Sequence, residues 1–240
     1  MTERTAPTVV LVHGAFADAA SWSGVIRELQ SEGVSVVAPP NPLRGLASDA
    51  AYISSVAAQI DGPVVLVGHS YGGAIITVAG ATENVAGLVF VAAYVLEEGE
   101  SLGELQGRFP APPLADNLRP ATYPVDGAEP AVELTIATEA FPSVFAADVP
   151  EEVTKVLAVA QRPLAAAAFD EPAQVASWKT KPSWAVVADA DHAINPEVQR
   201  FAAKRAGASV VEVQGASHAV AVSRPKTVAD VILQAVRAAG

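Results

Sequence analysis

The 240-residue chain contains no cysteine. That excludes a disulfide framework, a thiolate nucleophile and any cysteine-ligated zinc or iron–sulfur centre. Basic residues are scarce. Fifteen lysines and arginines face 26 aspartates and glutamates, a formal net charge of -11. Such a field repels polyanions, so no nucleic-acid partner is expected, and the charge mainly confers solubility. Long hydrophobic runs are also missing, none approaching the ~20 residues a spanning helix needs, so no membrane partner is expected. Met1 to Pro7 is polar and Thr8–Val12 is too short for a signal-peptide core, which makes the cytoplasm the expected location. There are only four histidines, so the search for a catalytic base is short.

What the chain does have is apolar material. Hydrophobic residues make up 51% and charged residues 17%, ample for a buried core. The length suits one domain carrying a large insertion. Val9–Val12, Val34–Ala38, Val64–Val67, Leu88–Val91, Trp184–Val187 and Val210–Val213 are short runs rich in apolar, β-branched residues. Strands of that kind are buried on both faces, as in a parallel sheet covered by helices. Between them lie helical stripes. Trp22, Val25, Ile26 and Leu29 precede Gly33, and Ile53, Val56, Ala57 and Ile60 precede Gly62, with Ser48 and Asp49 as expected caps. Further helices are expected at about Pro196–Ala206 and Pro225–Ala238. The alternation predicts a doubly wound α/β fold, with a mainly parallel six-stranded sheet and helices on both faces.

The pattern breaks between Glu97 and Thr180, where 10 of the 18 prolines fall. No strand is expected there, and Pro130–Ala140 and Glu151–Gln161 read as short helices. The segment is too apolar for a linker. Residues 1–96 and 181–240 are therefore assigned to the core, and 97–180 to an inserted, mostly helical cap.

The most specific motif is Gly68-His-Ser70-Tyr-Gly72, placed between an apolar strand and an apolar helix. A tight turn there strains its central residue and lifts the serine hydroxyl clear, while the glycines let strand and helix approach. No Gly-x-Gly-x-x-Gly or Gly-Lys-Ser/Thr phosphate loop competes with it. A serine nucleophile needs a base oriented by an acid. His69 is inside the turn, and His13 is expected to brace the loop after the first strand. His192 follows Asp189-Ala-Asp191. His218 lies just past the last strand, at the sheet edge where such folds bind ligands, and is the expected base. Asp191 is the expected acid, with Asp189 as competitor. The oxyanion donors are expected to be the backbone N–H groups of Tyr71 and of Ala15, with Phe16 the alternative to Ala15. Phe16 and Tyr71 are expected to face the substrate. Asp189, Asp191 and His192 lack a second ligand cluster, so no metal is expected.

Together, His13-Gly-Ala-Phe16 with Ser21-Trp22, Gly68-His-Ser-Tyr-Gly-Gly73, Ala190-Asp191 and Ser217-His218 resemble the α/β-hydrolase superfamily. Within it, the layout is similar to the cap-bearing serine esterases grouped with plant methyl esterases and hydroxynitrile lyases. The resemblance covers about residues 8–96 and 183–239. It implies a Ser70, Asp191, His218 triad, an Ala15 and Tyr71 oxyanion hole and no cofactor. A serine at position 70 argues against epoxide hydrolases and haloalkane dehalogenases, which carry an aspartate there. Related lyases carry a lysine where this chain has Ala219. The expected function is hydrolysis of a small, fairly apolar carboxylic ester through an acyl-enzyme, with activity favoured on the alkaline side where His218 is unprotonated. The alternatives are a hydroxynitrile lyase, a cofactor-free perhydrolase, or a non-catalytic small-molecule receptor on the same scaffold. The expected partner is a small-molecule ester, and a homodimer is left open.

Overall fold

A computed structural model describes residues 6–240. The expectation for the polar N-terminus falls largely on residues outside this range. In chain order the first half carries β1 (Thr8–Val12), α1 (Ser23–Ser31), β2 (Ser35–Val37), α2 (Leu46–Ala58), β3 (Val64–His69), α3 (Tyr71–Ala79) and β4 (Val85–Val91). An inserted stretch follows, with α4 (Leu102–Gln106), β5 (Leu118–Tyr123), β6 (Ala131–Ile136), α5 (Phe141–Phe145), α6 (Glu151–Val159) and β7 (Leu164–Ala165). The chain then returns through β8 (Ser183–Ala188), α7 (Pro196–Arg205), β9 (Ser209–Val213), α8 (Val220–Ser223) and α9 (Pro225–Ala239).

The six-stranded sheet has the order β2-β1-β3-β4-β8-β9, and every pairing is parallel. Successive strand residues point to opposite faces, so an unbroken apolar run supplies two cores at once. Val10, Val12, Leu66, Leu88 and Phe90 pack under α2, α3 and α7. Val9, Leu11, Val65, Val67, Val89 and Val91 pack under α1, α8 and α9. Each fully buried valine or leucine contributes ~1.5–3 kcal/mol, which makes a register slip in any central strand costly. The strand order reverses between β1 and β3, and ligands of open α/β sheets bind at such a switch point.

Two local expectations are corrected. The helix α2 begins at Leu46, so Ser48 and Asp49 lie inside its first turn rather than capping it. The residue ahead of it is Gly45, and Asp49 Oδ1 instead accepts the N–H of Arg44 at 3.2 Å. The larger difference lies in the insertion, where Pro130–Ala140 is not a helix. Strand β6 occupies its centre, paired antiparallel with β5 and, at its other edge, with β7. Val132, Thr135 and Ile136 are β-branched and favour the extended form. The decisive partner, β5, is itself mostly solvent-facing, so its residues carry no apolar alternation that sequence inspection could detect. Glu151–Val159 is helical, as the spacing predicts. No helix among the described residues is long and apolar enough to cross a membrane.

Candidate active site

Strand β3 ends at His69 and helix α3 begins at Tyr71, leaving Ser70 as the sole residue of the turn. Its backbone is strained, with φ 55° and ψ -121°, a region that L-residues rarely adopt. The flanking glycines make the turn sterically feasible. A Cβ on Gly68 would sit 2.4 Å from the carbonyl oxygen of Gly72, and one on Gly72 would sit 2.4 Å from that of Val12. Strand, turn and first loop are therefore in backbone contact, and Ser70 projects over the end of β1.

His218 follows β9 by five positions and is almost fully buried. Its Nδ1 lies 2.6 Å from Asp191 Oδ2, and Asp191 is buried beyond the end of β8. The same carboxylate accepts the N–H groups of Ala193 and Ile194 on Oδ1, at 2.7 and 2.9 Å. Asp189 turns outward and accepts the Gly215 N–H at 2.6 Å. The structure thus brings His218 to Asp191 and not to Asp189. Ser70 and His218 both line one narrow cavity, whose other walls include Ala15, Phe16, Tyr71, Tyr94, Phe145 and Ile194.

The backbone N–H groups of the expected oxyanion donors differ in their hydrogen bonding. The Phe16 N–H donates to the carbonyl of Arg162 at 3.0 Å, whereas among the described residues neither Ala15 nor Tyr71 has a protein acceptor for its N–H. Phe16 also holds a positive φ of 62°. Tyr71 opens the helix α3, where backbone N–H groups are unpaired and the helix dipole is positive. Its phenol donates to Asp49 Oδ2 at 2.9 Å, so its hydroxyl is tied to the scaffold. Burial and that carboxylate push the phenol well above its ordinary range, and burial raises Asp49 as well.

The remaining histidines hold structure around the cavity. His13 Nε2 accepts the Asn41 N–H at 2.9 Å, which leaves Nδ1 to donate to the Gly14 carbonyl at 2.9 Å. Burial lowers its pKa and favours that neutral form. His69 Nε2 donates to the main-chain carbonyl of His218 at 2.8 Å. Burial, with the nearby His218, pulls the His69 ring down to about 3. His192 lies outside this cluster, with its Nδ1 3.0 Å from the Ser143 carbonyl.

Two positioning residues escape sequence inspection. Gln199 Nε2 donates to Asp191 Oδ2 at 2.7 Å, and its Oε1 accepts the Ala188 N–H at 3.1 Å. The available signal was a glutamine on the inward stripe of α7 beside Val198, Ala202 and Ala203. Asp148 accepts the Ser217 hydroxyl and pairs with Arg224 at 3.3 Å. With the Phe145 carbonyl, which accepts the Ala219 N–H at 2.9 Å, it ties both neighbours of His218 to the insertion. No local signal marks a contact across that many residues. No group of three or more metal-ligating side chains occurs among the described residues.

The model of the Alpha/beta hydrolase family matches residues 9–231. No curated protein matches the chain by sequence. Among solved structures, polyneuridine aldehyde esterase is similar at TM-score 0.82 and 22% identity, covering 96% of this chain and 99% of that one. A pyrethroid hydrolase from Sphingobium faniae JZ-2 is similar at TM-score 0.76 and 23% identity, covering 96% and 98%. A methylesterase from Arabidopsis is similar at TM-score 0.77 and 17% identity, covering 97% and 99%. At these identities the likeness is one of fold. The family match spans nearly the whole sheet and its insertion, and the chain belongs to the α/β-hydrolase family.

Proposed function

We propose that the chain is a serine carboxylic-ester hydrolase acting through an acyl-enzyme on a fairly apolar ester. One observation carries the reading: Ser70 and His218 open onto the same cavity, while the other ring nitrogen of His218 is hydrogen-bonded to the buried Asp191. The esterases and hydrolases among the similar structures are consistent with it.

In this reading the Asp191 carboxylate holds the proton of His218 on Nδ1, leaving Nε2 as the base. Ser70 Oγ bonds to the ester carbonyl carbon as its proton passes to Nε2. The carbonyl oxygen becomes an alkoxide held by the N–H groups of Ala15 and Tyr71, each such donor contributing on the order of 10²–10³ in rate. As the alkoxide collapses, the bond to the leaving oxygen breaks and the alcohol takes the Nε2 proton. Water then gives a proton to Nε2 and adds to the acyl carbon. Collapse returns that proton to Ser70 and frees the carboxylic acid. Gln199 keeps the carboxylate in place, and His69 holds the His218 backbone.

A fluorophosphonate probe with adduct mapping by mass spectrometry tests this together with a panel of chromogenic esters. A stable adduct on Ser70 that abolishes ester turnover is the expected result. A folded protein that is neither labelled at Ser70 nor active on any ester overturns the reading and leaves a small-molecule receptor on the same scaffold.

A further inference from the structure

The cavity at Ser70 adjoins a second, larger one, and the two share Phe16 and Phe145 as walls. The larger compartment lies between the loop after β1, the helices α5 and α6, and the residues that directly follow His218. Small side chains leave it open, among them Ala17, Ala20, Ala160, Ala219 and Ala221. Its polar lining is sparse and partly engaged inside the protein. The Asp18 carboxylate accepts the Ala20 N–H at 2.8 Å, the Ser21 hydroxyl donates to the Asp18 carbonyl at 2.6 Å, and His69 Nε2 is bound to His218. A compartment lined mainly by phenyl and aliphatic side chains, with few polar groups, favours hydrocarbon.

Its position identifies which part of a substrate would fill it. The imidazole that takes the serine proton must later give it to the departing oxygen, so the leaving alcohol lies on the imidazole side of the reacting carbon. Ala219, Ala221 and Val222 continue the chain from His218 into the wall of the larger compartment. His69, whose ring centre is 4.7 Å from that of His218, lines it too. Phe145, one of the two shared walls, meets the His218 ring edge-on at 4.8 Å. A substituent leaving Ser70 past His218 is therefore directed toward Phe16 and Phe145, the walls that the two cavities share.

We infer that the larger compartment binds the hydrocarbon of the leaving alcohol, so that the preferred substrates are esters of a long or bulky apolar alcohol with a small acid. The inference rests on the ester-hydrolase reading and sharpens it by assigning the acyl group to the smaller cavity and the alcohol to the larger one. Ala160 faces solvent at the C-terminal end of α6 and lines the compartment, so a large side chain there blocks the space without displacing buried core.

Two measurements test the inference. In the first, kcat/KM is compared across acetates of lengthening alcohol and ethyl esters of lengthening acid. The expected result is at least a tenfold preference for decyl over ethyl acetate, no such gain for ethyl decanoate, and a collapse of the decyl preference in Ala160→Trp. A preference that follows acid length, or one that Ala160→Trp leaves intact, overturns the assignment. In the second, 1-decanol binding to Ser70→Ala is followed by calorimetry. Saturable binding that Ala160→Trp weakens at least tenfold is expected, and no binding overturns the compartment. Because the second readout needs no turnover, decanol binding by a protein inactive on every ester would leave the compartment standing while the hydrolase reading fails. Ala17→Leu, at a different wall, guards against misfolding of one variant. It too is expected to weaken decanol, and retention of full affinity by both variants, each with an unchanged circular dichroism spectrum, counts against the site.

Discussion

The sheet and the inserted segment are built on different kinds of information. In the sheet, the central strands β1, β3, β4 and β8 are largely apolar because both of their faces are covered, whereas the edge strands β2 and β9 stay partly exposed, and the residues on Val10's side and on Val9's side fill separate cores. In the insertion, β5 is largely exposed and β6 mostly half-buried, and both owe their form to pairing, β6 with β5 and β7. The first kind of element is written in its own residues. The second depends on a partner elsewhere in the chain, and the comparison separates the part that carries Ser70, Asp191 and His218 from the segment inserted between β4 and β8.

The sharpest way to break that comparison is to remove the hydroxyl at the turn. Ser70→Ala is expected to lower ester turnover by at least ~10⁴-fold, in line with the loss of other serine nucleophiles, with the circular dichroism spectrum unchanged. Retained turnover would move the chemistry out of the sheet edge altogether.

Acid should strike the sheet region, where His69 is buried neutral. The unfolded chain protonates this ring below its ordinary value of 6.5, whereas the folded ring resists protonation down to about 3. Protons therefore favour the unfolded state in that window. The stabilisation is complete above pH 6.5 and is lost as the pH falls toward 3, by on the order of 5 kcal/mol in total. His13, also lowered by burial, adds in the same direction. Urea denaturation at pH 7.5 and pH 4.5 measures the slope, and His69→Gln is expected to flatten it. An unaltered slope in that variant would assign the acid sensitivity to other groups.

Two glutamines allow a finer comparison, since each pins backbone with its amide. In the core, Gln199 bridges Asp191 and the Ala188 N–H. Gln199→Leu leaves a buried N–H unpaired, at an expected cost of ~1–3 kcal/mol. It also frees Asp191, so kcat is expected to fall while KM changes little. In the insertion, Gln161 accepts the N–H of Ile136 and donates to its carbonyl, both at 2.8 Å. Gln161→Leu is expected to cost about 1 kcal/mol, and to appear as faster hydrogen exchange in β6 and α6 with kcat intact. Equal losses of kcat in the two variants would mean that the insertion and the sheet act as one catalytic unit.

Much of the candidate site was legible because its parts occur at strand ends. The glycines at 68 and 72 mark a turn where a side chain would collide with backbone, and such collisions are local. Asp191 and His218 follow strands whose apolar runs locate them at one edge of the sheet. The choice between Asp189 and Asp191 was not legible, because both follow the same strand and only the packing of α7 and the 215–218 loop separates them. The different hydrogen bonding of the Ala15 and Phe16 N–H groups was equally hidden. It turns on the Arg162 carbonyl, contributed by the insertion.

The sequence by itself determined the parallel sheet, the strained serine turn and the order in which Ser70, Asp191 and His218 enter. Apolar periodicity and glycine placement act over a few residues, so they survive without knowledge of the rest of the chain. Only the tertiary structure decided that 131–136 is a strand, that Gln199 and Asp148 brace the residues around His218, and that Phe16 and Phe145 stand between two cavities. Each of those outcomes is a contact between segments distant in sequence, and its free energy exists only once both segments have been brought together.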